Sequence, residues 1–276
     1  MRSFRKALIL LLSGFAAGCD KPHDAGVVNE QPEKNTVKQQ NVTVTVFAAA
    51  SLTESLTMLG NKFQEKHPGI RILFNFDSSG TLKRQIEEGA VSDIFISAAP
   101  KQMNELENGG RVLSGSRIDL LENKVTLAVP ENNQYQFNSF GDLAEKLHDC
   151  RVPFAVGNAD VPVGQYSQKI FSYLGLKQDE LEKMGCLSYG SNVKEVTIQI
   201  SEGMVTAGIV YATDAVSAKL KVVDTATEQM CGRVIYPAAL LKNTRVQTQA
   251  EAFLNYLSSE EAKKVFEQIG FTLLKK

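Results

Sequence analysis

From residue 42 onward the sequence repeats one unit: a β-rich run, a small or polar turn, then an apolar stripe at helical spacing. "VTVTVFAA" leads into a segment with Leu52, Leu56, Leu59 and Phe63 on one face, which stops near "HPG". "IRILFNFD" leads into "SSGTLKRQIEEG", ended by Gly89, and "SDIFISAAP" reads as a buried strand. The pattern resumes with "KVTLAVP", "VPFAVG" before a helix around "GQYSQKIFSYLG", "CLSYG" before "NVKEVTIQISEG", and "AGIVYA". Strands alternating with helices predict an α/β protein with mostly parallel sheets covered on both faces. One sheet would have to hold at least seven such strands, so two smaller sheets are expected. A strand-like "VIYPAAL" precedes one long C-terminal helix, "QAEAFLNYLSSEEAKKVFEQIG". With chain crossings near Leu121–Lys124 and Arg233–Tyr236, residues 41–122 plus 236–276 form one expected lobe and residues 123–235 the other. Two lobes leave a cleft between them.

The segment before residue 42 reads differently. Arg2, Arg5 and Lys6 precede the apolar run "ALILLLSGFAA", too short to span a bilayer as a mature helix and matching a secretory signal sequence over residues 1–19. The run ends in "AAGC", which resembles a bacterial lipoprotein box with Ala16 in place of the more usual leucine. Cleavage there would leave Cys19 as the lipid-bearing N-terminus, and residues 20–40, rich in Asn, Gln, Lys and Pro, as a flexible tether. Asp20 after the cysteine resembles the signal that keeps such lipoproteins at the inner membrane, so a periplasmic location on that membrane is expected.

A formal net charge of −1 and the absence of a sustained basic block argue against nucleic acid as a partner. A small-molecule partner and a monomer are expected instead. Three cysteines follow Cys19, namely Cys150, Cys186 and Cys231. An oxidising compartment permits one disulfide. Cys150 and Cys186 each stand beside the start of an expected strand, which makes them the candidate pair. Neither the cysteine spacings nor His23, His67 and His148 make a zinc pattern, and no cofactor is expected.

The strand-to-helix junctions carry the chemistry. Ser51 is followed three residues later by Glu54, an S-x-x-E capping box that places its hydroxyl at a helix N-cap. Ser79 in "DSSGTL" stands at the next helix entrance, with Gly80 beside it. Pro162 in "DVPVGQY" suits a first helical turn, and Asn192 with Glu195 in "GSNVKEV" forms another capping pair. Four such turns point unpaired backbone N–H groups and positive helix ends outward from the carboxyl ends of the strands, where open α/β sheets bind ligands. The favoured ligand is an anion. No arginine or lysine precedes the helix bodies in these turns, and none contains a phosphate loop of the G-x-x-x-x-G-K-[ST] kind. Neutral donors alone favour an anion that is fully deprotonated, because a protonated one such as hydrogen phosphate also needs a buried acceptor.

With these motifs, "VTVFAAASLT", "SSGTLKRQIEEGAVSDIFISA", "VPVGQY", "GIVYATDA" and "YPAAL", nearly the whole mature chain resembles the molybdate-binding proteins of bacterial molybdate ABC transporters, which are type II periplasmic binding proteins. The resemblance implies an oxyanion, molybdate or tungstate, held by the Ser51 and Ser79 hydroxyls, by backbone at Val163 and Val193, and by Tyr211. It also implies delivery to an ABC permease, with sulfate as the nearest alternative cargo. Two positions depart from the family pattern. Asp77 stands where a small neutral residue is common and has to turn away from the cleft, and Gly80 replaces a common serine. Asp93 reads as a capping or hinge residue.

A secreted serine hydrolase is the competing class. The chain lacks G-x-S-x-G and has no histidine near the candidate serines. Ser191 and Lys194 match S-x-x-K, without the companion K-T-G.

Overall fold

The computed structural model of the chain describes residues 42–132 and 138–274. The expected signal sequence, Cys19 and the expected tether lie outside the described residues. Strands β1 (Val42–Ala49), β2 (Ile70–Asp77) and β3 (Ile94–Ile96) alternate with helices α1 (Thr53–Lys66), α2 (Ser79–Glu87) and α3 (Pro100–Asn108). Next come β4 (Ile118–Asn123), β5 (Val125–Val129), α4 (Phe140–His148), β6 (Phe154–Gly157), α5 (Pro162–Tyr173) and α6 (Gln178–Lys183). They are followed by β7 (Leu187–Gly190), α7 (Val193–Ser201), β8 (Ala207–Tyr211), α8 (Ala212–Ser217), β9 (Lys221–Thr225) and α9 (Glu228–Cys231). The chain closes with β10 (Val234–Leu240), α10 (Gln247–Tyr256), α11 (Glu260–Ile269) and β11 (Thr272–Leu273).

The strands form two sheets, ordered β11-β4-β10-β3-β1-β2 and β7-β6-β8-β5-β9. The α/β class and the two-sheet packing are as expected, but the sheets are mixed rather than mostly parallel. In the first, β2, β1 and β3 run parallel and β10 inserts antiparallel between β3 and β4. In the second, β7, β6 and β8 are parallel while β5 pairs antiparallel with both β8 and β9. The cause is the pair of crossings. The chain leaves the first sheet at Asn123 and enters the second at Val125, then returns between Thr225 and Val234. β5 follows β4 after a single residue, and β10 comes from the other sheet, so neither is delivered by the strand–helix–strand crossover that sets neighbouring strands parallel.

Helices cover both faces of the first sheet. Leu52, Leu56, Leu59 and Phe63 of the α1 segment are all buried, packing with Val44, Val46 and Ala48 of β1. Leu82 and Ile86 of α2 and Met103 and Leu106 of α3 pack with Phe47 and Phe95 on the opposite face, as the alternation of side chains along a strand requires. The C-terminal run is two helices, not one. Ser259 accepts from the Ala262 N–H and Glu260 and Glu261 occupy the following first turn, so a new N-terminus forms where a continuous helix is expected. Cys150 and Cys186 are joined in a disulfide, just ahead of the parallel pair β6 and β7, and Cys231 is a buried thiol. No helix among the described residues is long and apolar enough to cross a membrane.

Candidate functional site

The carboxyl ends of the parallel strands β1, β2, β6 and β7 feed the starts of the Ala50–Leu52 turn, α2, α5 and α7. These starts converge on one small cavity of about 10 Å³ lined by Ser51, Ser79, Val163, Val193 and Tyr211, together with Ala49, Ala50, Ser78, Ala98, Val161 and Pro162. Pockets for drug-sized ligands run to ~300–1,000 Å³, so the space suits a single small ion. No charged side chain lines it.

Ser51 does not cap a helix. A single 3₁₀ turn, Ala50–Leu52, separates β1 from α1, whose N-cap is Leu52, and neither start has a side-chain cap. Both members of the expected capping box have distant partners instead. The Ser51 hydroxyl lies 3.0 Å from the Tyr236 hydroxyl, and both carboxylate oxygens of Glu54 accept from Lys194, at 2.8 and 3.0 Å. At the second junction the cap is Ser78, which accepts from the Thr81 N–H and spends its own proton on Thr81 Oγ1. Ser79 is therefore left for the cavity. Its oxygen accepts from the Ala98 N–H at 3.0 Å, so its proton is free to donate.

Pro162 opens α5, as expected, and that start has no side-chain cap. The Val163 N–H thus belongs to a first turn with no intrahelical carbonyl to meet it. Asn192 caps α7 by accepting from the Glu195 N–H; Val193, one residue in, lines the cavity, and its N–H has no intrahelical carbonyl to meet it. Gly164 is obligatory behind this wall, since a Cβ there would lie 2.1 Å from the Asn158 carbonyl oxygen. Tyr211 ends β8 with its ring edge-on to Tyr166 and Tyr236. Its hydroxyl is buried and has no hydrogen-bond partner among the described residues. Burial, reinforced by Tyr236, Tyr166 and Asp214, pushes the Tyr211 pKa well above the ordinary tyrosine value. The phenol stays protonated and acts as a donor.

Three polar contacts join the two halves of the chain around the cavity. Lys194 of α7 bridges to Glu54 of α1, Arg84 of α2 pairs with Asp160 ahead of α5, and Asn192 Nδ2 donates to Asp77 Oδ1 at 3.4 Å. Asp77 is thus turned out of the cavity, though it remains at the rim of the cleft rather than away from it. Gly80 also has its reason here: a Cβ at that position would sit 2.3 Å from the Asp160 carbonyl oxygen. The serine common in the resembled family would not fit against this loop. Asp93 pins β1 to the segment after β10, accepting from the Thr45 N–H and the Thr244 hydroxyl, and does not reach the cavity.

Lys194 also stands 3.0 Å from Asp214 Oδ1, at a carboxylate that is fully enclosed. This is an ion pair without hydrogen-bond alignment, since neither Asp214 oxygen has a hydrogen-bond partner among the described residues. Burial raises the Asp214 pKa from its ordinary 3.8 to about 6, against the opposing pull of Lys194. For Lys194 burial disfavours the charge, but Asp214 and Glu54 outweigh it and the pKa is raised. Ser191 donates its hydroxyl to Glu195 at 2.7 Å. Ser191 and Lys194 therefore have separate partners, and the S-x-x-K spacing does not assemble a nucleophile with its base. Among the described residues no cluster of His, Cys, Asp and Glu could hold a metal ion.

Sequence reasoning missed Tyr236 and Asn123, which stand behind Ser51. Their signal was weak, a tyrosine in an apolar strand and an asparagine at a strand end.

Residues 44–272 match the family described as bacterial extracellular solute-binding protein. The chain belongs to that family. It is accordingly a binding protein and not an enzyme, of an extracytoplasmic type that serves ABC transporters. Among its relatives, YvgL of Bacillus subtilis, named as an ABC transporter substrate-binding lipoprotein, is 35% identical over 87% of this chain and 90% of its own. The molybdate-binding protein ModA of Haemophilus influenzae is 33% identical, over 83% of this chain and 89% of its own. The solved periplasmic molybdate-binding protein of Azotobacter vinelandii shares the fold, with a TM-score of 0.72 at 22% identity over 84% of this chain and 100% of that one.

Proposed function

We propose that this solute-binding protein captures molybdate, and tungstate with it, and hands the oxyanion to an ABC permease while tethered to the inner membrane by a lipid on Cys19. The observation that carries the reading is the convergence of the Ser51, Ser79 and Tyr211 hydroxyls with the Val163 and Val193 amides on one small cavity without a charged side chain. Hydrogen bonds to an ionised group contribute roughly 1.5–3 kcal/mol each. Five of them can exceed the ~8 kcal/mol of a micromolar complex before the costs of association are deducted. Helix starts add favourable dipole ends, so a dianion can be held without a countercharge. The names of the relatives YvgL and ModA support the lipoprotein and molybdate parts of the reading.

Isothermal titration of the mature protein with molybdate, tungstate, sulfate and phosphate tests the cargo. Molybdate and tungstate are expected to bind tightly, with sulfate weaker and phosphate weakest. Tight sulfate binding without molybdate binding refutes the assignment. Intact-mass analysis of membrane-extracted protein tests the anchor: Cys19→Ala is expected to abolish a diacylglycerol-sized mass increment and release the protein from the membrane.

A further inference from the structure

A cavity can be donor-only or can offer both donors and acceptors, and the difference lies in where each hydroxyl proton points. For Ser79 a backbone N–H, which can only donate, takes one lone pair, so the hydroxyl proton points away from Ala98. For Ser51 the partner is another hydroxyl, that of Tyr236, and 3.0 Å alone does not say which donates. The rest of the chain of contacts decides it.

The Lys124 backbone N–H donates to Asn123 Oδ1 at 2.8 Å, which identifies the oxygen of that amide and makes the other atom its NH₂. That group donates to Thr213 Oγ1 at 2.9 Å and to Tyr236 Oη at 3.2 Å, spending both protons. The Tyr236 oxygen is thus an acceptor toward Asn123, and the acceptor within reach of its own proton is Ser51 Oγ. Were Ser51 to donate instead, the Tyr236 proton, inside a fully buried residue, would have only the neighbouring Tyr211 oxygen to turn to, and that oxygen makes no aligned hydrogen bond. The relay therefore runs from Asn123 to Tyr236 to Ser51 and leaves the Ser51 proton for the cavity. Burial also holds Tyr236 protonated, its pKa pushed well above the ordinary value.

We propose that Tyr236 and Asn123 are positioning residues that lock Ser51 as a hydrogen-bond donor, and so make the cavity reject oxyanions that still carry a proton. This rests on the oxyanion reading above and deepens it. With the Ser51 and Ser79 protons both directed to the cavity by the groups behind them, and the Tyr211 proton without a protein acceptor, a proton on the ligand would face three hydroxyl protons and could be accepted only by turning one of these donors from an anionic oxygen. The relay also starts where the chain crosses between sheets, since Asn123 ends β4 and Thr213 belongs to α8.

Tyr236→Phe keeps the ring and removes the relay. Its molybdate affinity is expected to fall about tenfold while its affinity for hydrogen phosphate holds or rises, so the ratio between the two narrows at least tenfold. In a Ser51→Ala background the same substitution is expected to change nothing further, because the group it orients is gone. A role in packing alone would weaken both anions by one factor and would persist in that background; either result overturns the proposal. If Tyr236→Phe lowers the melting temperature, Asn123→Asp serves as the second variant. Its carboxylate would accept from Tyr236, reverse the relay and turn a Ser51 lone pair to the ligand, with molybdate affinity falling further than in Tyr236→Phe. Unchanged selectivity in Asn123→Asp likewise refutes the relay. Failure of the wild-type protein to bind molybdate, tungstate or sulfate overturns the oxyanion reading and the relay with it, whereas wild-type binding with an unaltered Tyr236→Phe ratio overturns the relay alone.

Discussion

Replacing Tyr211 with phenylalanine separates the roles of fold and site because the two effects have opposite signs. The Tyr211 hydroxyl is enclosed and unpartnered among the described residues, and a buried polar group without a hydrogen bond costs about 1–3 kcal/mol. Its removal should leave the ligand-free protein as stable as before, or raise its melting temperature. The same change deletes one of the five donors proposed to hold the anion, worth about 1.5–3 kcal/mol when the acceptor is charged. At ~1.4 kcal/mol per factor of ten, molybdate affinity should drop about 10- to 150-fold. Titration calorimetry gives the affinity. Thermal scans with and without molybdate give the stability, read by an external dye because the chain has no tryptophan. If Tyr211→Phe binds molybdate within twofold of wild type, the hydroxyl does not touch the ion and the donor-cage argument fails. A lowered ligand-free melting temperature would show that the hydroxyl has a protein partner after all.

Val193→Pro tests the backbone donors. Residue 193 is the first of α7 and Asn192 before it is extended, with φ −154° and ψ 173°, so proline fits the backbone, deletes the N–H and keeps an apolar ring in place of the buried valine side chain. Calorimetry should show roughly a tenfold loss or more, the equivalent of one charged hydrogen bond, with little change in melting temperature. Gly80→Ala should favour α2 by up to about 1 kcal/mol, yet place a Cβ against the Asp160 carbonyl at 2.3 Å across the cleft. The expected outcome is a stable protein that releases molybdate faster, and stopped-flow release at the wild-type rate would contradict it. Asp214 binds its proton more tightly folded than unfolded, so its contribution favours folding below pH 4 and is lost as pH rises through about 6. Asp214→Asn should therefore raise stability relative to wild type more at pH 7 than at pH 4.5, as chemical denaturation at the two pH values would read.

The alternation of β-branched runs with helical stripes was legible in the sequence because both signals are short-range. A strand's period is two residues and a helix's is 3.6, so "VTVTVFAA" and the Leu52–Phe63 stripe each announce themselves within a dozen residues. The same locality placed Pro162 and Asn192 at helix starts, and the order of strand, turn and helix put those starts at one sheet edge. A local signal at Ser259, a serine before two glutamates, marks the break in the C-terminal run that a continuous apolar stripe concealed.

The partners of those starts depend on distant chain. Ser51 and Glu54 read as a capping box, yet Ser51 pairs with Tyr236 and Glu54 with Lys194, 185 and 140 residues away. A local cap competes with any tertiary partner that packing brings closer, and nothing within four residues of Ser51 reveals Tyr236. Likewise the need for Gly80 comes from the Asp160 carbonyl, and the mixed strand directions come from where the chain crosses between sheets. The sequence alone thus specified the elements and the edge at which they would gather. Only the tertiary structure decided which oxygen accepts and which proton is left over, because hydrogen-bond direction is fixed by groups that meet only after the chain has folded.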